Sequence, residues 1–261
     1  MLKLAGITKT LNPGSIDEKT VFKNFDLEVK SGDFITIIGS NGAGKSTLFN
    51  LIAGTLQADE GSIILDGEDI TFMPEYKRSK AIGRLFQNPA LGTCPEMSIK
   101  ENMALAYLQS KNRPLLATLN KNDLDIICDK IAQLNMGLEK RLDTPMGSLS
   151  GGQRQALTLL MATLAKPKIL LLDEHTAALD PAAADTVLKL TARIVNEGNI
   201  TTLMITHNMA QALEMGNRTI MMNDGRIVFD CQGEERKNYT VEDLVAGFRS
   251  SILNNDRMIL S

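Results

Sequence analysis

The chain has 261 residues, 43% of them hydrophobic, and a formal net charge of −3. That length suits one sizeable domain or two lobes sharing a core, and the slightly acidic balance excludes a nucleic-acid partner recruited by bulk charge. Cys94, Cys128 and Cys231 stand far apart in no metal-ligand spacing, which points to reduced thiols rather than a disulfide framework or a zinc site.

Residues 1–30 carry Lys3, Lys9, Asp17, Glu18, Lys19 and Lys23 with no apolar run among them, so no leader segment is expected. TVFKNFDLEV (20–29) puts Val21, Phe25, Leu27 and Val29 on one face at a period of two, the pattern of a half-buried strand. DFITIIG (33–39) is a short apolar run bounded by glycine, as in a strand buried on both faces. KSTLFNLIAGTL (45–56) has helical spacing, and GSIILDGEDI (61–70) returns to alternation.

The texture changes after Gln87. ENMALAYLQS (101–110), NDLDIICDKIAQLNM (122–136) and GQRQALTLLMATLA (152–165) read as helices, punctuated by Pro89, Pro95, Pro114 and Pro145. Residues 88–165 are therefore expected to form a helical lobe inserted into a core made of 1–87 and 166–261. The longest apolar stretch, Ala156 to Ala165, contains two threonines and is about half a bilayer span. A soluble chain is expected, with any membrane crossing left to another chain.

Alternation of strand and helix then resumes. KILLLDE (168–174) reads as a strand, PAAADTVLKLTARIVNEG (181–198) as a helix entered by Asp180-Pro181, and TTLMITH (201–207) as a strand. NMAQALEMGN (208–217) is a helix, and RTIMMNDGRIVFD (218–230) a hairpin about Asn223-Asp224-Gly225. A last helix starts at Thr240, with Asp243 placed for a variant capping box. The 13 methionines are scattered over apolar faces and read as core filler.

GSNGAGKST supplies Gly39, Ser40, Asn41, Gly42, Ala43, Gly44, Lys45, Ser46 and Thr47. It fits G-x-x-x-x-G-K-[ST] between an expected strand and an expected helix, the setting of a phosphate loop. Glycines let successive N–H groups point at phosphate oxygens, and the helix N-terminus favours negative charge. Lys45 then reaches the β- and γ-phosphates of ATP, and the Ser46 hydroxyl is a ligand for Mg2+.

ILLLDE (169–174) complements it. Four apolar residues form a buried strand that delivers Asp173 and Glu174 to its C-terminal edge, where ligands bind in open α/β sheets. Asp173 is expected to hold Mg2+ through water. Glu174, one residue on, points elsewhere in a strand and suits the attacking water as general base or orienting group. Gln87 in RLFQNP and His207 in MITHN each end an expected strand. A glutamine there bonds both the metal's water and the nucleophile, and a histidine donates to the γ-phosphate.

LSGGQRQ (149–155), the GSNGAGKST loop, ILLLDE about twenty residues after the signature, Gln87 and His207 together resemble the ATPase subunits of ABC transporters. The match runs along nearly the whole chain in the family's order. The resemblance implies an α/β fold: a P-loop NTPase with a RecA-like mixed-sheet core, an antiparallel β subdomain and a helical subdomain carrying the signature. It implies that Gln87 and His207 are the Q-loop and H-loop residues and that AALD (177–180) is the D-loop. It implies a homodimer in which ATP lies between the phosphate loop of one copy and the signature of the other. Ser150, Gly151, Gly152 and Gln153 would then open a helix N-terminus toward the γ-phosphate bound by the partner. An integral membrane permease would dock on a groove formed partly by the segment after Gln87, with a substrate-binding protein as an indirect partner. Such a chain sits on the cytoplasmic face of the membrane.

Three positions depart from the family pattern. ITKTLNPGS (7–15) offers Leu11 where an aromatic usually stacks on adenine, His175 follows Glu174 where proline is common, and Ala177 replaces the usual D-loop serine. The absence of a spanning segment and the wording of DEHTAALDP, MITHNM and EYKRSKAIGRLFQNP resemble bacterial importers paired with a lipoprotein, some of them for amino acids, including aromatic ones. A soluble ABC ATPase without a membrane partner, serving cofactor assembly, is the alternative. A non-hydrolysing nucleotide scaffold conflicts with the intact Lys45, Asp173, Glu174 and His207, and a small-molecule kinase leaves LSGGQ without a role.

Overall fold

The computed structural model describes residues 1–111, 113–114 and 119–247. In chain order its elements are β1 (Leu2–Leu11), β2 (Lys19–Val29), β3 (Phe34–Gly39), α1 (Lys45–Ala53), β4 (Glu60–Leu65), β5 (Glu68–Asp69) and α2 (Glu75–Arg78). There follow β6 (Ile82–Leu85), α3 (Ile99–Ser110), α4 (Lys121–Ala132), α5 (Gly151–Thr163), β7 (Ile169–Asp173), α6 (Pro181–Gly198) and β8 (Thr201–Ile205). The described chain closes with α7 (Met209–Glu214), β9 (Arg218–Asn223), β10 (Arg226–Gln232), α8 (Gly233–Arg236) and a helix over 241–247. That last helix begins as expected: Asp243 N–H donates to the Thr240 hydroxyl, and the Asp243 carboxylate accepts from the Thr240 N–H.

The contacts divide the chain into two compact units, residues 1–78 with those from Thr201 onward, and residues 79–200. In the first unit an antiparallel sheet has the strand order β2-β1-β4-β5. Alternation along β2 is interrupted. Val21, Phe25, Leu27 and Val29 are buried as the period of two requires, but Phe22 is buried too. Asn24 takes a left-handed φ of 54°, and register shifts in the β1–β2 pairing let two adjacent side chains turn inward. The alternating stretch 61–70 is not one strand. Asp66 and Gly67, both left-handed, reverse the chain so that Leu65 pairs with Glu68 and Ile64 with Asp69.

The other strands of this unit lie in the order β10-β9-β3-β8. β3 is parallel to both β8 and β9, and β9 turns back through Asp224-Gly225 into antiparallel β10. Phe34 through Ile38 are all buried, which explains a run of apolar residues with no polar alternation. α1 stops at Ala53, three residues short of the helical pattern, because Gly54 takes a left-handed φ of 87° and the Leu56 N–H closes back on the Asn50 carbonyl at 3.1 Å.

In the second unit β6 and β7 pair in parallel, with Leu85 opposite Leu172. Ile169 to Leu172 are fully buried, so each contributes about 1.5–3 kcal/mol of transfer free energy. α6 shows how sequence makes a helix here. Asp180 caps it, Pro181 occupies its first position, Val187, Leu190, Thr191 and Val195 form its buried stripe, and left-handed Asn199 ends it. Ser98 and Asn120 cap α3 and α4 with complete capping boxes. Among the described residues no helix is long and apolar enough to cross a membrane.

Arg78 binds the first unit together. It is 2% exposed. Its guanidinium donates to the Leu51 and Ile52 carbonyls at 2.7 and 2.9 Å, in the last turn of α1, and to the Met73 and Thr71 carbonyls at 2.7 and 2.9 Å. A cation there complements the helix dipole and satisfies carbonyls that α1 leaves unbonded. Arg78→Leu strands several buried acceptors at once and is expected to cost at least about 3 kcal/mol. Urea denaturation checks this, and an unchanged midpoint would contradict it.

Candidate functional site

The phosphate-loop sequence lies between β3 and α1, as the motif requires. Gly39 closes β3 with φ of 153°, and a Cβ there would strike the Met222 carbonyl of β9, so only glycine fits. Ala43 is 1% exposed, and its carbonyl accepts the N–H of Gly225 at 3.1 Å. Ser40 Oγ lies 3.3 Å from Asn223 Oδ1, which it reaches as donor. The β9–β10 turn therefore buttresses the loop from one side. Lys45 is 6% exposed, and its ammonium donates to the Gly39 and Ser40 carbonyls at 2.9 Å each. Asn41, Gly42 and Ser46 are exposed and Thr47 half-buried on the first turn of α1. Gly44 stands at the N-cap with no side-chain cap bond, so the first N–H groups of α1 have no capping side chain.

His207 emerges on the same side of the first unit. β8 ends at Ile205, with Ile205 opposite Ile37, so His207 lies two residues past the strand rather than at its end. Its neighbours fix the turn: the Thr206 N–H donates to the Ile37 carbonyl at 3.1 Å, and Asn208 caps α7. The histidine is exposed beside the strand that feeds the phosphate loop.

The second unit holds the remaining residues. Gln87 also lies two residues beyond its strand, and exposed. Asn88 after it caps a single 3-10 turn over Pro89–Gly92 by accepting the Ala90 N–H at 3.0 Å. Asp173 ends β7, next to the end of β6, so Gln87 and Asp173 leave the parallel pair at the same edge. The Asp173 carboxylate faces Arg84 of β6 in an ion pair at 3.7 Å. Arg84 in turn lies 4.6 Å over the Phe86 ring. Sequence reasoning missed Arg84. The available signal was the alternation of IGRLF, which sends Arg84 and Phe86 to one face of β6.

Glu174 is not a strand residue pointing to the opposite face. It has a left-handed φ of 46°, and its carbonyl accepts the Ala177 N–H at 2.9 Å in a tight turn. The carboxylate is aimed by a strained backbone rather than by strand alternation. The next residue, His175, is 3% exposed. Its Nε2 lies 3.2 Å from the Thr191 hydroxyl on α6, and that hydroxyl gives its own proton to the Val187 carbonyl at 2.8 Å. The imidazole must therefore be the donor, which fixes the neutral Nε2–H tautomer. Burial drives its pKa from 6.5 down to about 4.

The signature opens α5. Ser150 is an exposed N-cap whose hydroxyl accepts the Gln153 N–H at 3.3 Å, while the Gln153 side chain accepts the Ser150 N–H at 3.3 Å. A Cβ on Gly151 would come within 2.9 Å of Leu179, and one on Gly152 within 3.0 Å of the Ala183 Cβ. The two glycines thus let the start of α5 pack against the turn and first residues of α6. Within each unit the expected residues gather at strand ends and helix starts: the phosphate loop and His207 in one, Gln87, Asp173, Glu174 and the signature in the other.

The pattern of the ABC transporter family matches residues 22–177. The chain is 44% identical over 254 residues to a tyrosine transport ATP-binding protein of Clostridioides difficile strain R20291, covering 97% of this chain and 100% of that one. It is 34% identical over 239 residues to the spermidine/putrescine import ATP-binding protein PotA of Aliivibrio fischeri, but spans only 59% of that longer relative. Its fold superimposes with a TM-score of 0.75 on the dimeric post-hydrolysis structure of the ATP-binding cassette MJ0796 bound to ADP and Pi, at 26% identity over 89% of this chain and 98% of that one.

The buried histidine makes stability pH-dependent. The folded pKa lies below the unfolded one, so between about 6.5 and 4 the unfolded chain takes up a proton that the folded protein refuses. Stability at His175 is intact above this window and falls by up to about 3 kcal/mol as pH drops through it. Denaturation curves from pH 7.5 to 4.5 should show wild type losing more stability than His175→Leu. Parallel losses would contradict the assignment.

Proposed function

Since the chain belongs to the ABC transporter family as an ATP-binding, ATP-hydrolysing subunit, we propose that it powers uptake of an amino acid, aromatic ones included, through a separate membrane permease. The observation that carries this reading is the match at 44% identity, over 97% of this chain and 100% of the relative, to a tyrosine transport subunit. The dimeric form of the neighbouring cassette structure supports a homodimer. The lack of a spanning helix among the described residues supports a peripheral subunit on the cytoplasmic face of the membrane, under a permease supplied by another chain. A substrate-binding protein delivering the solute completes the system. Residues 88–165 are the signature-bearing lobe, and the rest of the chain is the nucleotide-binding core with its β subdomain.

Each site residue then has a role. N–H groups from Gly39 to Thr47 cradle the phosphates of ATP, and Lys45 exchanges its two loop carbonyls for phosphate oxygens. The Ser46 hydroxyl, the Gln87 amide oxygen and the Asp173 carboxylate are hard oxygen donors, the set that suits Mg2+. Mg2+ bound with ATP would neutralise charge on the β- and γ-phosphates. Glu174 accepts the proton of the water that attacks the γ-phosphorus in line, while the bond to the β–γ bridging oxygen breaks. His207 donates to a γ-phosphate oxygen. From the partner copy, the Ser150 hydroxyl and the N–H groups of Gly151, Gly152 and Gln153 meet the charge that grows on the transferring phosphoryl group. At the adenine end Leu11 offers an aliphatic contact in place of a ring, and Ala177 leaves the D-loop one hydroxyl short.

Glu174→Gln tests the assignment. Purified protein is expected to bind ATP, accumulate as an ATP-bound dimer by light scattering, and lose turnover by about 10²–10⁴-fold. Cells carrying it are expected to lose uptake of labelled tyrosine while keeping that of spermidine. Turnover near wild type would remove Glu174 as the base, and lost spermidine uptake with intact tyrosine uptake would overturn the cargo class.

A further inference from the structure

Glu174 occupies a conformation that non-glycine residues adopt at a cost of about 1–3 kcal/mol, so something around it must hold it there. One backbone bond, from the Ala177 N–H to the Glu174 carbonyl, closes the turn from below. The next side chain, His175, leaves the turn in the other direction and enters the protein, where it reaches the Thr191 hydroxyl in the middle of α6. Thr191 is 0% exposed and anchored to Val187 within the helix, so the acceptor cannot swing away. The start of this helix carries Ala183, which meets Gly152, and the residue before its cap is Leu179, which meets Gly151.

We propose that His175 is a positioning residue for hydrolysis: its bond to Thr191 pegs the left-handed Glu174 turn to α6, the element on which the signature glycines of the same subunit pack. The carboxylate and the signature are thereby held on one rigid piece of structure. When the first turn of α6 and the signature settle against a partner, Glu174 moves with them. This inference rests on Glu174 being the group that activates water.

The test uses the full-length chain and steady-state hydrolysis over a range of ATP concentrations. Thr191→Val keeps the volume and removes the acceptor. His175→Leu keeps the burial and removes the donor. Each is expected to lower kcat by on the order of ten- to a hundredfold, the scale of a misplaced catalytic group, with KM for ATP within about twofold and melting within a few degrees of wild type. Thr191→Ser, which keeps the hydroxyl, is expected to restore kcat. The double variant should be no slower than either single one, because both remove the same bond. Wild-type kcat in the folded single variants, a rise in KM alone, or equal damage from Thr191→Ser would overturn the proposal. Should Thr191→Val fail to fold, His175→Leu decides on the same criteria. Glu174→Gln, assayed alongside, separates the two ideas. If it is inactive while Thr191→Val and His175→Leu are fully active, only the peg fails. If it is active, the role of Glu174 fails first.

Discussion

α1 begins at Gly44 with no side chain on its first N–H groups. Every other helix of six or more residues with a described N-terminus in the element order is capped: Ser98, Asn120, Ser150, Asp180 and Asn208 each accept a backbone N–H of α3 to α7. Bare N–H groups at a helix start attract anions, and the first residue of this helix, Lys45, folds its ammonium back onto the Gly39 and Ser40 carbonyls of the adjoining loop. The rest of the first unit serves that arrangement. β3 delivers the loop from a fully buried strand, the Asp224-Gly225 turn holds Ala43, and Arg78 ties down the far end of α1. Binding energy spent on phosphate therefore acts on a helix fixed at both ends.

In the proposed mechanism the second unit handles the charge that hydrolysis creates. Its Asp173 lies at a strand end, where side chains are well placed by the sheet. Glu174 lies one residue later on a strained turn, where position depends on neighbours. A metal-binding carboxylate tolerates a modest shift through water, whereas a group that takes a proton from an attacking water loses rate steeply with distance. The residue needing tighter control is the one reinforced by a buried hydrogen bond to α6. Arg84, close to Asp173, adds a fixed positive charge at the same edge.

Much of this was legible in the sequence because its chemistry is short-range. The phosphate loop, the Ser150 cap, the ILLLD strand and the Asp180-Pro181 helix start are each specified by residues within a few positions of one another. What escaped depends on partners far along the chain. The burial of Phe22 needs the β1 register, and the turn at Asp66-Gly67 was hidden because hydrophobic alternation ran through it. Arg78 reads as one more surface cation until α1 is placed beside it. Glu174 follows a strand without belonging to it, and no local pattern announces a left-handed residue there. His175 stood out only as a departure from the proline common at that position, and its partner is 16 residues away on another element.

In the proposed mechanism one chain holds two halves of different sites: Lys45 with its loop for one nucleotide, Ser150 with its glycines for the nucleotide of a second copy. Mixing two inactive variants, Lys45→Ala and Ser150→Arg, measures this directly. In a mixed dimer one composite site is doubly damaged, and the other combines an intact Lys45 with an intact Ser150. Neither variant is expected to hydrolyse ATP alone, and the mixture is expected to regain turnover as mixed dimers form. Full activity of Ser150→Arg by itself, or mixed dimers that form and stay inactive, would contradict it.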